Sequence, residues 1–350
     1  MTADLLDVPV RGPSLARKKL PSWSLPVIAV VVLALSYTFL RLGSLSWVQF
    51  ALIAAVLYLI GQTLASTIVE GWRHAKDRMM TGLMTVALVL AVAPLIAVLG
   101  YTVAKGMTRM DSLFLTHSMR AVSEDEAAGG AYHAIIGTLE QVGIATVIAV
   151  PFGILVAVYL VEYSSGRLGR IVSFFVDVMT GLPSIVAGLF IYTLWILALG
   201  NGFSGFAGSL ALVILMLPTV VRSAEEMLKL VPQSLREASY ALGVAKWITV
   251  LRIVLPTALA GIVTGVMLAI ARVMGETAPV LLTVSGSDSI NNNPFSGPQD
   301  SLPLFVFNEA QLPNQTAIDR AWAGALTLIA IVLILNLIAR AIARFARVRG

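Results

Sequence analysis

Eight apolar stretches recur along the chain, near 25–42, 47–69, 80–104, 135–161, 171–199, 207–222, 257–284 and 321–343, and the segments between them hold most of the charge. A bilayer core takes about 20 apolar residues per helical span. The pattern therefore predicts an all-α polytopic transmembrane helical bundle of about eight spans. Periodicity does not separate lipid-facing from buried helices here, because apolar residues occupy every face. Pro151 and Pro183 fall inside predicted spans and predict a kink or break, which a membrane tolerates where neighbouring helices or a water-filled cavity satisfy the freed backbone groups. Such interruptions favour a transport pathway.

Composition agrees with this reading: 58% of the 350 residues are hydrophobic and 12% charged, against about 25% charged in soluble domains, and the mean hydropathy is +0.88. That excludes a water-soluble domain. The net charge of +5 comes from short basic clusters between apolar runs, which fits the positive-inside bias rather than nucleic-acid binding. With a cytoplasmic N-terminus, segments 1–24, 70–79, 162–170, 223–256 and 340–350 lie inside and hold 17 of the 24 Lys and Arg. The other side holds Arg41, Lys105, Arg109, Arg120 and Arg320, while Arg222 and Arg272 fall at a helix end and within a helix. Both termini are thus expected in the cytoplasm. The basic cluster Arg17, Lys18 and Lys19 comes late, and the long run from Leu25 lacks a small-residue cleavage pattern, so the N-terminus reads as a retained anchor. With no cysteine there are no disulfides or thiolate sites, and His74, His117 and His133 are scattered, so no metal or cofactor site is expected in this chain.

Two outside segments are polar: 105–133, with Glu124-Asp125-Glu126 and Gly129-Gly130, and 285–320, rich in Asn, Pro and Gly. They read as exposed connectors or as a surface for an external partner. Glu140 reads as a solvated residue near an outer helix end.

Segment 223–256 is too short of continuous apolar residues to span a bilayer, yet Glu237, Ser239 and Lys246 interleave with Leu235, Ala238, Ala241, Leu242 and Val244 at helical spacing. It predicts two short helices on the inner face, broken at Gly243 and Val244, where glycine permits a conformation that a side chain would block. Re-entry into the membrane is expected at Leu255-Pro256, with proline suited to a helix start. One reading is an amphipathic interfacial anchor. The spacing of Glu237-Ala238-Ser239, Gly243 and then Ile253, Leu255 and Pro256 instead resembles the EAA signature of ABC importer permeases, with Ser239, a small residue, in place of the third-position Ala, so that close packing is expected to survive. That resemblance implies a coupling loop whose helices fit a groove on a separate ATP-binding subunit, with Glu237, Ala238, Ser239, Gly243 and Pro256 as coupling residues. No G-x-x-x-x-G-K-[ST] occurs in the chain, so it cannot cradle ATP phosphates in the P-loop manner. The resemblance implies that ATP and Mg are bound by the partner ATPase and that the chain itself is not an enzyme.

Span 257–284 carries Arg272 and Glu276 near its middle. Each charge costs about 2.5–3.5 kcal/mol at a helix centre on insertion scales, so both are expected to face protein or water. Their i,i+4 spacing places them on one helix face, as an internal ion pair in the weaker Arg-before-Glu order, or as an oxyanion site. In the second reading the guanidinium offers planar donors to phosphate, Glu276 accepts the O–H of a protonated phosphate, Thr277 adds a hydroxyl and Pro279 frees backbone groups. Arg222 by position is a positive-inside anchor or part of the same pathway. Asp177 can pair with Arg222 or Arg272, or sit in water near the inner face, which is preferred because its span starts at Ile171.

The runs Thr180-Gly181-Leu182-Pro183-Ser184-Ile185-Val186, Arg222 with Glu225-Glu226-Met227-Leu228, Leu235-Arg236-Glu237-Ala238, and Ala269 through Arg272 to Gly275-Glu276-Thr277-Ala278-Pro279 resemble the phosphate ABC transporter permeases of the PstA type over about residues 80–345. The resemblance implies a type I ABC importer permease with a MetI-like core. It also makes Arg222, Arg272, Glu276 and Thr277 the substrate-pathway residues. The expected organisation is a cytoplasmic tail 1–24, two accessory helices and a link 25–79, a first core helix and extracytoplasmic loop 80–133, and the transmembrane domain 134–345 with coupling loop 223–256. Expected partners are two copies of an ABC ATP-binding subunit, a homologous second permease of the PstC type and an extracytoplasmic phosphate-binding protein, assembled in a bacterial cytoplasmic membrane. The activity implied is ATP-driven import of inorganic phosphate. An ABC importer for another oxyanion, such as phosphonate or molybdate, an ion-gradient-driven secondary transporter and a scaffold without a pathway are the alternatives. Against the secondary transporter, no inverted repeat with paired broken helices is visible.

Overall fold

In a bilayer the backbone must satisfy its own polar groups, and helices do so within one segment. The computed structural model describes residues 20–21, 23–42, 46–123, 125–164 and 166–348, so the cluster Arg17-Lys18-Lys19 and Glu124 lie outside the described residues. The chain divides into two compact units at Leu99/Gly100. In the first, α1 (Ser24–Leu42) and α2 (Trp47–Val69) pack as a hairpin and α3 (Trp72–Gly106) begins. Ser46 and Gln49 close a capping box at the start of α2, which satisfies two otherwise orphaned N–H groups. At its other end Glu70 accepts from Leu20 N at 2.7 Å, Ser66 Oγ at 2.9 Å and Arg78 at 2.7 Å. Burial opposes the charge on Glu70, but these donors outweigh it and hold the carboxyl below its ordinary value.

The second unit contains α4 (Ser112–Thr116), α5 (Tyr132–Val158), α6 (Arg167–Thr180), α7 (Ser184–Ile191), α8 (Gly205–Lys229), α9 (Gln233–Ala241), α10 (Lys246–Thr249), α11 (Leu255–Met274), α12 (Ala278–Val284), α13 (Leu302–Gln311) and α14 (Gln315–Val348). At its centre α8 packs on α5, α6, α7, α11 and α12 and buries Leu212, Leu215, Met216, Val220 and Leu228. Lipid is as apolar as these side chains, so close packing rather than transfer from water holds the helix there. Gly153 of α5 is part of that fit, since a Cβ at this position would lie 2.7 Å from Val220 Cγ1.

Among the described residues, six helices are long and apolar enough to cross a membrane, or seven spans if a bent pair counts as one. Two of the eight predicted spans account for the difference. The apolar part of α1, Ser24–Thr38, is shorter, and the run 171–199 folds as α6 and α7 bent by 104°. Pro183 stands at that break, as the N-cap of α7. Pro151, in contrast, lies inside an unbroken α5. The run 257–284 also departs from a single helix: α11 ends at Met274 and α12 starts at Ala278.

The polar outside segments are not simple exposed connectors. Phe114, Met119, Ala131, Leu302, Phe305 and Ala323 form a second buried core. Arg320 is fully buried, donating to Glu309 Oε2 and to the Glu126 carbonyl, each at 2.7 Å. Glu140 is no helix terminus either; it lies within α5 and accepts from Gln299 Nε2 at 2.6 Å.

Candidate functional site

α11 stops because Gly275 and Glu276 turn back on it, their N–H groups donating to the Arg272 and Val273 carbonyls at 3.2 Å each. Thr277 then caps α12, and Pro279, which has no N–H to give, falls in the first turn where none is needed. Arg272 and Glu276 are therefore not on one helical face. Arg272 is exposed in the isolated chain and Glu276 half-buried. Among the described residues, neither side chain has an ion-pair or hydrogen-bond partner, so the internal ion-pair reading fails. Glu276 instead borders a narrow crevice of about 10 Å³ with Thr138, Gln141 and Ser301. Gln141 Oε1 and Ser301 Oγ are buried there without a protein partner, while Gln141 Nε2 is held by Gln299 Oε1 at 3.0 Å and the Asp300 carbonyl at 3.1 Å. The break thus offers an unneutralised guanidinium, an unneutralised carboxylate and two unused polar oxygens.

Arg222 has the opposite surroundings. Its guanidinium pairs with Glu225 and Asp177 and donates to the Ser173 carbonyl at 3.1 Å and Ser173 Oγ at 3.0 Å. Lys229 holds the other Glu225 oxygen at 2.7 Å. Asp177 is expected in water rather than paired; it is 65% exposed and also bound to Arg222, because α6 packs on α8 near its C-terminal end.

Of the two short helices expected after α8, α9 forms as a separate helix and α10 is the first turn of a longer run, with Gly243 at φ +75° between them, in the left-handed region that glycine enters freely. Glu237, Ala238 and Gly243 are exposed. Ser239 faces inwards, 3% exposed, with its hydroxyl 2.8 Å from Thr249 Oγ1, so this departure from Ala ties α9 to α10. Re-entry does not begin at Pro256. α10, a π-helical turn Val250–Val254 and α11 form one continuous run from Lys246 to Met274, and the bonding register changes just before the proline, which cannot donate a backbone bond. Pro256 is exposed in that run.

Sequence reasoning missed Glu162, buried against Arg236, and the buried contact between His133 and Asp300 at 3.3 Å. Burial raises the Asp300 carboxyl above its ordinary range, with His133 acting in the other direction. The one signal for Glu162 was a carboxylate directly after the long apolar run 135–161.

A family model described as the binding-protein-dependent transport system inner membrane component matches residues 149–348. The chain is similar to the phosphate transport system permease protein PstA 1 of Mycobacterium tuberculosis, 52% identical over 280 residues, covering 79% of this chain and 90% of that protein. It is likewise similar to the phosphate transport system permease protein PstA of Yersinia pestis, 40% identical over 274 residues, 78% of this chain and 92% of that one. Among solved structures, a bacterial ABC transporter involved in the import of the acidic polysaccharide alginate superposes with a TM-score of 0.52 at 14% identity, covering 78% of this chain and 99% of its counterpart. That last likeness is one of fold alone.

Proposed function

The chain belongs to the binding-protein-dependent transport system inner membrane components, and from this we propose that it is the permease subunit of an ATP-driven importer that passes inorganic phosphate across the cytoplasmic membrane. The observation that carries the reading is the 52% identity over 280 residues to a phosphate transport system permease. Arg272, Glu276 and Thr277 are the substrate-pathway residues in this reading. Arg272 presents donors to the phosphate oxygens, Glu276 accepts the phosphate O–H, and the absence of a protein counter-charge at either leaves both available to the ion. Arg222, already neutralised, acts on the pathway as a lock between α6 and α8 rather than as a phosphate ligand.

ATP is bound and hydrolysed by two copies of a separate ATP-binding subunit, whose closure pushes the exposed residues Glu237, Ala238 and Gly243. Ser239 and Pro256 support that surface from within the loop and from the start of α11. A homologous second permease completes the pathway, and an extracytoplasmic phosphate-binding protein delivers the ion. The termini are cytoplasmic, and 25–79 adds helices in lipid to the core 80–345.

The test is uptake of radiolabelled phosphate into proteoliposomes holding the full assembly. ATP-dependent uptake that excess sulfate or molybdate does not displace is expected. Displacement by phosphonate or molybdate at equal concentration assigns another oxyanion, and uptake that persists without ATP under a clamped ion gradient overturns the importer reading.

A further inference from the structure

One side chain fastens the coupling loop to the body of the bundle. Arg236 lies in the second turn of α9, directly before Glu237. Its Nε donates to Glu162 Oε1 at 2.9 Å, and Nη2 lies 2.8 Å from the same oxygen. Nη1 donates to the Val231 carbonyl at 2.7 Å and Nη2 to the Leu228 carbonyl at 3.0 Å. Those carbonyls sit where α8 ends; the Leu228 carbonyl also accepts from the Val231 N–H at 3.3 Å, and the guanidinium adds a side-chain donor to both. Glu162 belongs to the π-helical turn Tyr159–Tyr163 that terminates α5. A single guanidinium therefore binds α9 to the ends of α8 and α5, which pack on each other through the core.

Both side chains of the pair are nearly dry, 9% and 5% exposed. Desolvating two ions is costly enough that a well-packed apolar pair would hold the helices equally well. What an apolar pair lacks is direction: the planar fork of arginine fixes α9 relative to the carboxylate and the two carbonyls at once. A second attachment reaches the same turn, since Lys246 Nζ of α10 lies 5.0 Å from the Tyr163 ring centroid. The Ser239–Thr249 bond joins α9 to α10. Both short helices of the loop are thus anchored on one five-residue π turn, a geometry in which helices commonly change register.

We infer that Arg236 and Glu162 are the positioning pair that carries displacement of the coupling loop into α5 and α8. The inference rests on the importer reading. A push on exposed Glu237 reaches Arg236 within the same helical turn, and from there it moves the ends of two core helices instead of dissipating in the loop.

Phosphate uptake and ATP hydrolysis are measured together, in the reconstituted full importer, for Glu162→Gln, Arg236→Lys and Arg236→Met. ATP hydrolysis is expected to persist while phosphate imported per ATP falls roughly tenfold in Arg236→Met, a typical coupling effect. Glu162→Gln, which keeps an acceptor oxygen, loses less, and Arg236→Lys, which keeps the charge without the fork, does not restore the ratio. A merely structural staple would lower both activities in proportion to assembled complex, and an unchanged ratio overturns the inference. Where Arg236→Met fails to assemble, the near-isosteric Glu162→Gln decides: a lowered ratio supports the pair and an unchanged one overturns it. Failure of the unaltered assembly to import phosphate on ATP would instead overturn the importer reading, before any variant is compared.

Discussion

Two arginines interrupt apolar spans of this chain, and they have opposite surroundings. Arg222, in the C-terminal part of α8, is held by Glu225, Asp177 and Ser173. Arg272, at the end of α11, has no partner among the described residues, and Glu276 beyond it has none either. The same residue type thus serves two different physical roles. A neutralised guanidinium binds its own protein and offers little to a passing anion. An unneutralised one, placed where a helix breaks, costs free energy that an incoming anion can recover.

The largest effect is expected at Arg272. Arg272→Ala removes charge-assisted bonds worth about 1.5–3 kcal/mol, so phosphate uptake falls roughly 10- to 100-fold while the assembly remains intact by size-exclusion chromatography. Arg272→Lys loses less, because it keeps the charge but not the fork. Wild-type uptake from Arg272→Ala would erase the distinction between the two arginines.

Glu276→Gln comes next, with about a tenfold loss of uptake, since an amide replaces the acceptor-only carboxylate with a group that also donates. Combining it with Arg272→Ala sharpens the comparison. A phosphate site predicts a double variant no better than the worse single one. Recovery in the double variant would mean that the two groups chiefly neutralise each other in the working assembly.

The Arg222 cluster predicts that recovery for itself. Arg222→Ala leaves Glu225 with Lys229 alone and Asp177 with water, and Glu225→Gln in the same chain relieves the remaining imbalance. Asp177 is 65% exposed, so solvent absorbs much of the change. The destabilisation of the single variant is on the order of 1 kcal/mol, read as a lowered thermal midpoint that the double variant partly restores. An additive second loss would show that Glu225 is held by something other than Arg222.

These contrasts mark where sequence reading stops. The apolar runs were legible because the bilayer imposes a length on each span, and the coupling loop was legible because its polar and apolar positions alternate at helical spacing around Gly243. The break after α11 had a signal, Gly275 and Pro279 bracketing Glu276 and Thr277, but a continuous apolar run of 28 residues, 257–284, outweighed it and put Arg272 and Glu276 on one helix face. Partner choice was legible only in part: Glu225 stands three residues from Arg222 and Asp177 was one alternative partner, but the distant pair of Arg236 with Glu162 had no local signal. Arg222 meets Asp177 across 45 residues and Arg236 meets Glu162 across 74, separations that only the packing of α6 and α5 on α8 closes. Ser239 looked like a tolerated substitute for alanine, and its bond to Thr249 appears only once α9 and α10 are folded together.

The smallest effect is expected at Asp300, a buried carboxyl with surroundings unlike those of either arginine. Asp300 Oδ1 accepts from the Ser301 N–H at 2.8 Å, and Oδ2 lies 3.3 Å from His133 Nε2. Because burial raises this carboxyl above its ordinary value, its ionisation costs more in the folded protein than in the unfolded chain. The sign follows: stability from this group is greatest at low pH and declines as pH rises through the folded-state value. Asp300→Asn keeps an oxygen for Ser301 and removes the ionisation, so the thermal midpoint at pH 7 changes by no more than the equivalent of about 1 kcal/mol and loses its dependence on this group. A large destabilisation at pH 7 would show instead that an ionised Asp300 facing His133 holds this buried core together.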